Sequence, residues 1–392
     1  MVRRPRRVER TTQPVTPPPA EPADSHWTRR TALILGRAYP GGIEKMANDK
    51  AASTADTDIP NSLQQGGGPA RFVEIDALKV AGILTVILIH SLRAPWDPRI
   101  SSTELWLGIV TRFAVPGFLF CSGFLYATTK AISMQTVMRR MRRVLIPYLI
   151  CSIGAQIWWF TTGQGHAFDA IVQEILLGSS FGPFYYVFVH FFLVLFVPLF
   201  ALLPSAALAG LTALAIVCQG WLESSTTLFL PIFWHIRNPI LWWGYFLLGW
   251  MIRLHHEPIR HWIGARRSIL IALLTVAIAV CTGLASSAER DEWVRAAMWL
   301  DIHAILAFIF VTTCGRRSLP RSVAMLSDAT FAIYLLHLFF VYGAERIFQP
   351  AINKFDPLVV TGYWSAGLFG SLAVIALVRA IFGSRSRDII GA

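Results

Sequence analysis

Charged side chains are scarce in this sequence. Asp, Glu, Lys and Arg together make up 15% of its 392 residues, whereas a soluble globular domain carries roughly 25%. Apolar residues make up 54%, and the mean hydropathy is +0.52. An ordinary water-soluble domain is therefore excluded, because so apolar a chain needs lipid around most of its surface.

Cysteine is also sparse and carries no pairing signal. The sequence contains no Cys-x-x-Cys pair and no histidine at zinc-finger spacing, so we expect neither disulfides nor structural zinc. Three histidines between two apolar runs have no carboxylate or thiol pattern to complete a metal site, and we predict no bound metal. These are His255, His256 and His261. The five cysteines all fall in apolar segments: Cys121, Cys151, Cys218, Cys281 and Cys314.

Ten apolar runs of 16 to 25 residues are near the length, roughly 17 to 25 residues, that crosses a bilayer as a helix. They cover 75–93, 104–127, 144–162, 184–203, 206–221, 239–254, 268–286, 294–314, 325–345 and 358–382. The sequence thus predicts an all-α fold, a polytopic membrane helical bundle of about ten transmembrane helices. Residues 1–70, rich in Arg, Pro and Gly, are predicted to be a disordered cytoplasmic tail. Residues 71–382 form the predicted membrane domain, and 383–392 a cytoplasmic C-terminal tail.

Basic residues supply the predicted orientation. The net charge is +12, and the Lys and Arg residues cluster at the ends of apolar runs rather than along one amphipathic face, which argues against a nucleic-acid partner. Loops on one side of the ten runs carry 15 of them and loops on the other side carry 7. Since cytoplasmic loops are enriched in Lys and Arg, both termini are predicted to be cytoplasmic in a multi-pass protein of the inner (plasma) membrane.

Ionisable side chains inside the first run are candidates for function, because each is costly to place in lipid. Asp76 and Lys79 lie near its start and His90 near its end. Lys79 and His90 are eleven residues apart, close to three helical turns, so both face the same way and could serve one elongated ligand. The alternatives are a lysine that snorkels to the interface and an interfacial histidine.

The second run combines a deep arginine with residues that disturb or pack helices. Arg112 precedes Pro116, and Ser122-Gly123 follows. We predict a kinked helix packed closely against the first run, with Ser122 in either a packing or a binding role. Further polar side chains interrupt later runs: His190, Asp301, His303 and His337. Asp301 and His303 are two residues apart, so they are predicted to face different ways.

Four groups of residues occur in a characteristic order. They are Arg71, Asp76, Lys79 and His90; Arg112 to Pro116 leading to Ser122-Gly123-Phe124; the basic cluster Arg139 to Arg143 before Pro147 and Tyr148; and Ser327 with Tyr334 to His337. With them the chain resembles the integral-membrane acyltransferase 3 family, which includes bacterial O-acetyltransferases of surface polysaccharides, over about residues 71–382. Two positions depart from the family pattern. Lys79 stands where the family commonly has arginine, which alone offers a bidentate fork, and Leu119 replaces an aromatic residue.

The resemblance implies a membrane acyltransferase with no bound cofactor. Its co-substrate would be acetyl-CoA, or another acyl-CoA, entering from the cytoplasm, and its acceptor a hydroxyl of a glycan or glycolipid at the outer side. His90, as general base or transient acyl carrier, and Lys79 are the implied catalytic residues. Asp76 is also expected to pair with Lys79 or Arg71. The implied residues for binding substrate or acyl-CoA are Asp76, Arg112, Ser122, Arg139, Arg140, Arg142, Arg143 and His337.

Two other functions are compatible with the same residues. A transporter or flippase without chemistry would use the intramembrane polar groups as a substrate or proton path, although no internal repeat is visible. A catalytically silent scaffold is the other reading, against which the presence of His90 with its upstream cation argues. Membrane lipid is the remaining partner, and association into a homo-oligomer is left open.

Overall fold

The computed structural model describes residues 71–93, 100–128, 132–224, 231–286, 292–348 and 356–391. The predicted tail, 1–70, lies outside these ranges. Within them the regular structure is helical, with no strand, which confirms the predicted all-α class. The helices are α1 Val73–Ser91, α2 Ser102–Val110, α3 Ala114–Tyr126, α4 Met134–Thr161, α5 Phe168–Leu177, α6 Tyr185–Leu195, α7 Val197–Phe200, α8 Ser205–Ser224, α9 Ile232–His235, α10 Ile240–Leu254, α11 His256–Ala285, α12 Glu292–Thr313, α13 Arg321–Phe348, α14 Pro357–Phe382 and α15 Ser386–Ile390.

The described helices form a polytopic membrane bundle. Seven helical stretches are long and apolar enough to cross a membrane, or eight if α5 and the bent segment after it, Gly182–Leu195, form one span. Two more predicted runs are helical without meeting those measures: α1 contains three charged side chains near its start, and α10 has only 15 residues. All ten predicted runs are therefore helical, and their number as full spans stays a prediction.

Helix α1 lies inside the bundle, where it packs against α3, α12, α13 and α14. Its polar side chains consequently face protein rather than lipid, as the cost of burying charge in hydrocarbon demands. Helix α11 is peripheral and presents an exposed apolar stripe, Ile269, Leu273, Val276, Val280 and Leu284. We call the end of the bundle where α1 begins the inner end, and the end where α1 finishes the outer end, after the predicted orientation.

Helices α3 and α10 touch through two glycines. A Cβ added to Gly123 would overlap the backbone of Phe246, and a Cβ added to Gly249 would overlap the backbone of Phe120. Such close approach needs small residues on both helices. From the sequence, the close contact at Ser122-Gly123 is expected with the first apolar run, which is α1. Helix α3 does pack on α1, but the closest approach at Gly123 is to α10.

Two further details add to the sequence expectations. The irregular point in the second run is a 3-10 turn, Thr111–Phe113, one turn before Pro116. Pro116 itself sits in the first turn of α3, where a missing N–H is tolerated. The predicted C-terminal tail contains α15, which packs against α4 and buries Ser386 and Ile390.

Candidate active site

Asp76 joins α1 to α13 at the inner end. Its carboxylate accepts hydrogen bonds from the Ser327 hydroxyl at 2.5 Å and from the Arg71 Nε at 2.9 Å, and it lies 3.6 Å from the Lys79 ammonium. The Arg71 guanidinium also donates a hydrogen bond to the exposed Asp328 on α13. The hydrogen bond to Asp76 raises the pKa of Arg71 above its usual value, although burial opposes this. Asp76 was expected to pair with Lys79 or Arg71, and it pairs with both. These contacts give Asp76 a structural role at the inner end.

Replacing Asp76 by asparagine should destabilise the inner end. The substitution removes the charge that Arg71, Lys79 and Ser327 share, and a buried hydrogen bond to a charged group contributes about 1.5 to 3 kcal/mol. We expect a loss of that size in thermal unfolding of the detergent-solubilised protein. Asp328→Asn is the matched control, since the exposed Arg71–Asp328 pair should contribute less than about 1 kcal/mol. Equal losses in the two variants would contradict this assignment.

Two histidines meet near the outer end. His90 on α1 and His337 on α13 have ring centroids 5.5 Å apart. The His337 Nδ1 lies 2.8 Å from the Tyr334 carbonyl oxygen and 3.2 Å from that of Ile333, so this nitrogen is the N–H donor. The His337 Nε2 is then a lone-pair acceptor, and it is buried without a hydrogen-bond partner in the described part of the chain. Because this acceptor lies beside His90, it can accept a hydrogen bond or a proton from His90.

A line of aromatic rings, which we call the ring file, runs between the two ends of the bundle. It begins where the Arg140 guanidinium lies over the Tyr126 ring, 5.5 Å from its centroid. The successive rings are Tyr126, His190, Tyr186, Tyr334, His337 and His90, with neighbouring centroids 5.5 to 6.3 Å apart. These separations are those of packed aromatic pairs. The ring file therefore connects the basic start of α4 to the histidine pair without a gap.

Ser122 joins the ring file through its hydroxyl. This hydroxyl lies 3.3 Å from the hydroxyl of Tyr186, while it also donates to the Phe118 carbonyl at 2.9 Å. Phe118 places its ring edge-on to Tyr186 and Tyr334. Ser122 thus lies beside the rings and also caps a backbone carbonyl, so both roles predicted for it are compatible with its position.

The structure does not bring all the predicted site residues together. Lys79 pairs with Asp76 at the inner end, far along α1 from His90. Arg112 is exposed in the 3-10 turn before α3, which packs against α1 and α12, and it is close enough to Glu223 for their charges to interact. The four arginines of α4 are all exposed near its start: Arg139, Arg140, Arg142 and Arg143.

Sequence reasoning missed two members of the ring file, Tyr126 and Tyr186. Each lies in an apolar run as an ordinary aromatic residue. Tyr186 is four residues before His190 on the same helix, about one turn away, but no spacing connects Tyr126 to His190 or either tyrosine to His337. They meet because α3, α6 and α13 pack with these faces toward one another. Which face of an apolar helix turns inward is set by packing between distant segments, and a uniformly apolar run gives little periodicity from which to read it.

Comparison with protein families gives one match, which covers most of the chain. The matching family model is described as an acyltransferase domain, and it spans residues 72–381. Comparison with curated proteins finds no match. Comparison with solved structures finds none either. The matched range begins beside Arg71 and ends within α14, so it contains every residue of the ring file.

Proposed function

The chain belongs to the acyltransferase 3 family, and from this premise we propose that it moves an acetyl group from acetyl-CoA to a glycan hydroxyl. That it is a multi-pass membrane acyltransferase follows from the family and the apolar helices. The acceptor we propose is a cell-surface polysaccharide or a lipid-linked glycan at the outer end, with acetyl-CoA entering at the inner end. Both termini would then be cytoplasmic, in the plasma membrane.

One observation carries the proposal: the His90–His337 pair lies at the outer end of a ring file that starts at Arg140. An acyl-CoA has a polyanionic head and a long, narrow arm that ends in the thioester. The exposed arginines of α4 suit the head. The arm would lie against the side of the ring file, because the packed rings leave no space between them. The thioester would then reach His90 while the charged head stays at the inner end.

His90 would act as the general base. It takes the proton of the acceptor hydroxyl as the hydroxyl oxygen bonds to the thioester carbonyl carbon. The carbon–sulfur bond then breaks, and the thiolate of CoA leaves with the proton that His90 returns. The products are an acetyl ester and free CoA. The His337 Nε2 would accept a hydrogen bond from one nitrogen of His90, which leaves the other nitrogen to work on the acceptor.

The test is acetyl transfer by membrane vesicles that contain the protein. With radiolabelled acetyl-CoA supplied at the inner end, label should enter glycan or glycolipid and should be released by mild base, as an ester is. Vesicles that lack the protein give the background. Label that stays in CoA, together with movement of intact glycan across the vesicle, would overturn acyl transfer and favour the transporter.

The arginines of α4 supply a prediction about the donor. Replacing Arg139, Arg140, Arg142 and Arg143 with glutamine should raise the KM for acetyl-CoA about tenfold and weaken its salt dependence, with less change in kcat. The reason is that these charges attract the anionic head without touching the reacting atoms. Arg316→Gln with Arg317→Gln is the control, since both are exposed directly after α12. The same KM in both variants would contradict the placement of the donor head.

A further inference from the structure

Three side chains with metal-ligating atoms meet at the inner end, away from the ring file. They are Glu74 in the first turn of α1, His256 at the start of α11 and Cys314 directly after α12. Their ligand atoms all lie within 4.8 Å of one another. The residues are 3%, 8% and 0% exposed. Among the described residues, no other group of His, Cys, Asp and Glu comes together in this way.

The chemistry of this group suits zinc. Zinc in proteins is bound by thiolate sulfur, imidazole nitrogen and carboxylate oxygen, at about 2.0 to 2.3 Å. Tetrahedral ligands at those lengths are roughly 3.3 to 3.6 Å apart, so these atoms need only small shifts to share one ion. A thiolate is a soft ligand that Mg²⁺ and Ca²⁺ do not favour. The charge of Zn²⁺ would balance one carboxylate and one thiolate.

The surroundings orient two of the three ligands. The His256 Nε2 faces Glu74, while the Nδ1 lies 3.4 Å from the carboxylate of Glu257. Metal-binding histidines usually donate their second ring N–H to such a carboxylate, which fixes the tautomer that leaves the other nitrogen free to bind metal. At the third ligand, Arg267 donates a hydrogen bond to the backbone carbonyl of Cys314 and so holds the end of α12 in place.

The aromatic contacts of His256 also fix its ring. The rings of Phe72 and Phe124 stand edge-on to His256, with centroids 5.2 and 5.6 Å away. The imidazole therefore cannot turn away from Glu74 without disturbing two packed aromatic residues. No sequence pattern predicts this group, because the carboxylate of Glu74 and the thiol of Cys314 come from segments far from His256 in the chain.

We propose that Glu74, His256 and Cys314 bind one zinc ion, which ties the start of α1 to α11 and to the end of α12. On binding, the Cys314 thiol loses its proton to solvent and the sulfur bonds to the metal. Three protein ligands leave a fourth position for water. Glu74 and His90 are sixteen residues apart on α1, a rise of about 24 Å. The zinc is therefore separate from acyl transfer and holds the inner end together.

Metal content of the purified full-length protein tests this directly. After growth with added zinc and purification in detergent without chelator, the wild type should contain about one zinc per chain by elemental analysis. Cys314→Ser and His256→Gln should each lower this to a small fraction. Cys151→Ser is the control, because Cys151 is also buried but lies in α4 and outside this group, and this variant should keep the metal.

Cobalt gives a second readout that depends on the sulfur ligand. Protein loaded with Co²⁺ should show a sulfur-to-cobalt charge-transfer band in the near ultraviolet, which Cys314→Ser removes and Cys151→Ser retains. Helical circular dichroism and a single peak in size-exclusion chromatography identify the folded samples. Folded wild type without zinc would leave a plain hydrogen bond between His256 and Glu74 and overturn the site. A cobalt band that survives in Cys314→Ser would overturn it equally.

Discussion

Replacing His90 by alanine should reduce kcat/KM for acetyl transfer by about 10² to 10⁴-fold, the usual contribution of a general base. The variant keeps the donor route, since the remainder of the ring file and the arginines of α4 are untouched. The KM for acetyl-CoA should consequently change little. The loss is to be measured in the vesicle assay at matched protein levels. His90 lies on the face of α1 that packs against α13. The smaller alanine side chain fits there without a steric clash.

Two further variants separate chemistry from damage to the fold. His261→Ala changes an exposed histidine on α11 and should leave transfer unchanged. His337→Ala should reduce kcat less than His90→Ala does, because His337 acts on His90 rather than on the substrate. Full activity in His90→Ala would remove His90 from the reaction. A trapped acetyl group on His90 would instead identify it as a transient acyl carrier.

Adding a single methyl group at Gly123 should have the largest effect on stability. The Cβ of an alanine there would overlap the backbone of Phe246 on α10, which no side-chain rotation can relieve. Overpacking of this kind costs about 1 to 3 kcal/mol, and contact with backbone belongs at the upper end of that range. We expect Gly123→Ala to lower the midpoint of thermal unfolding in detergent and to reduce accumulation in membranes.

The control for this prediction is Gly210→Ala in α8. No atom lies within 4 Å of a Cβ built at Gly210, so the substitution should be neutral or slightly stabilising through helix propensity. Gly249→Ala meets the backbone of Phe120 and should behave like Gly123→Ala. If Gly123→Ala and Gly210→Ala unfold at the same temperature, α3 and α10 do not touch as described.

The sequence was most informative where an ionisable residue interrupts an apolar run. Asp76, Lys79 and His90 stand out in an apolar run, and the interior position of α1 follows from the cost of exposing them to lipid. Tyr126 and Tyr186 do not stand out in this way. Tyr186 lies one helical turn before His190, but only the packing of α3 against α6 makes Tyr126 a neighbour of His190. Glu74, His256 and Cys314 at the inner end could not be grouped from the sequence either, since only helix packing brings them together. The sequence predicts no metal at His256, because Glu74 and Cys314 reach it only through the arrangement of α1, α11 and α12.

The touching backbones of α3 and α10 also bear on how the protein works over time. Helices that interlock at Gly123 and Gly249 cannot slide past each other, so the two move as one rigid body. Helix α3 supplies Tyr126 and Ser122 to the ring file, so these side chains keep their positions relative to α10. In a transporter that works by alternating access, α3 and α10 would have to swing together against the other helices. In the proposed acyltransferase they need not swing, because the acyl group travels, and the pace of the cycle would depend on how quickly spent CoA leaves.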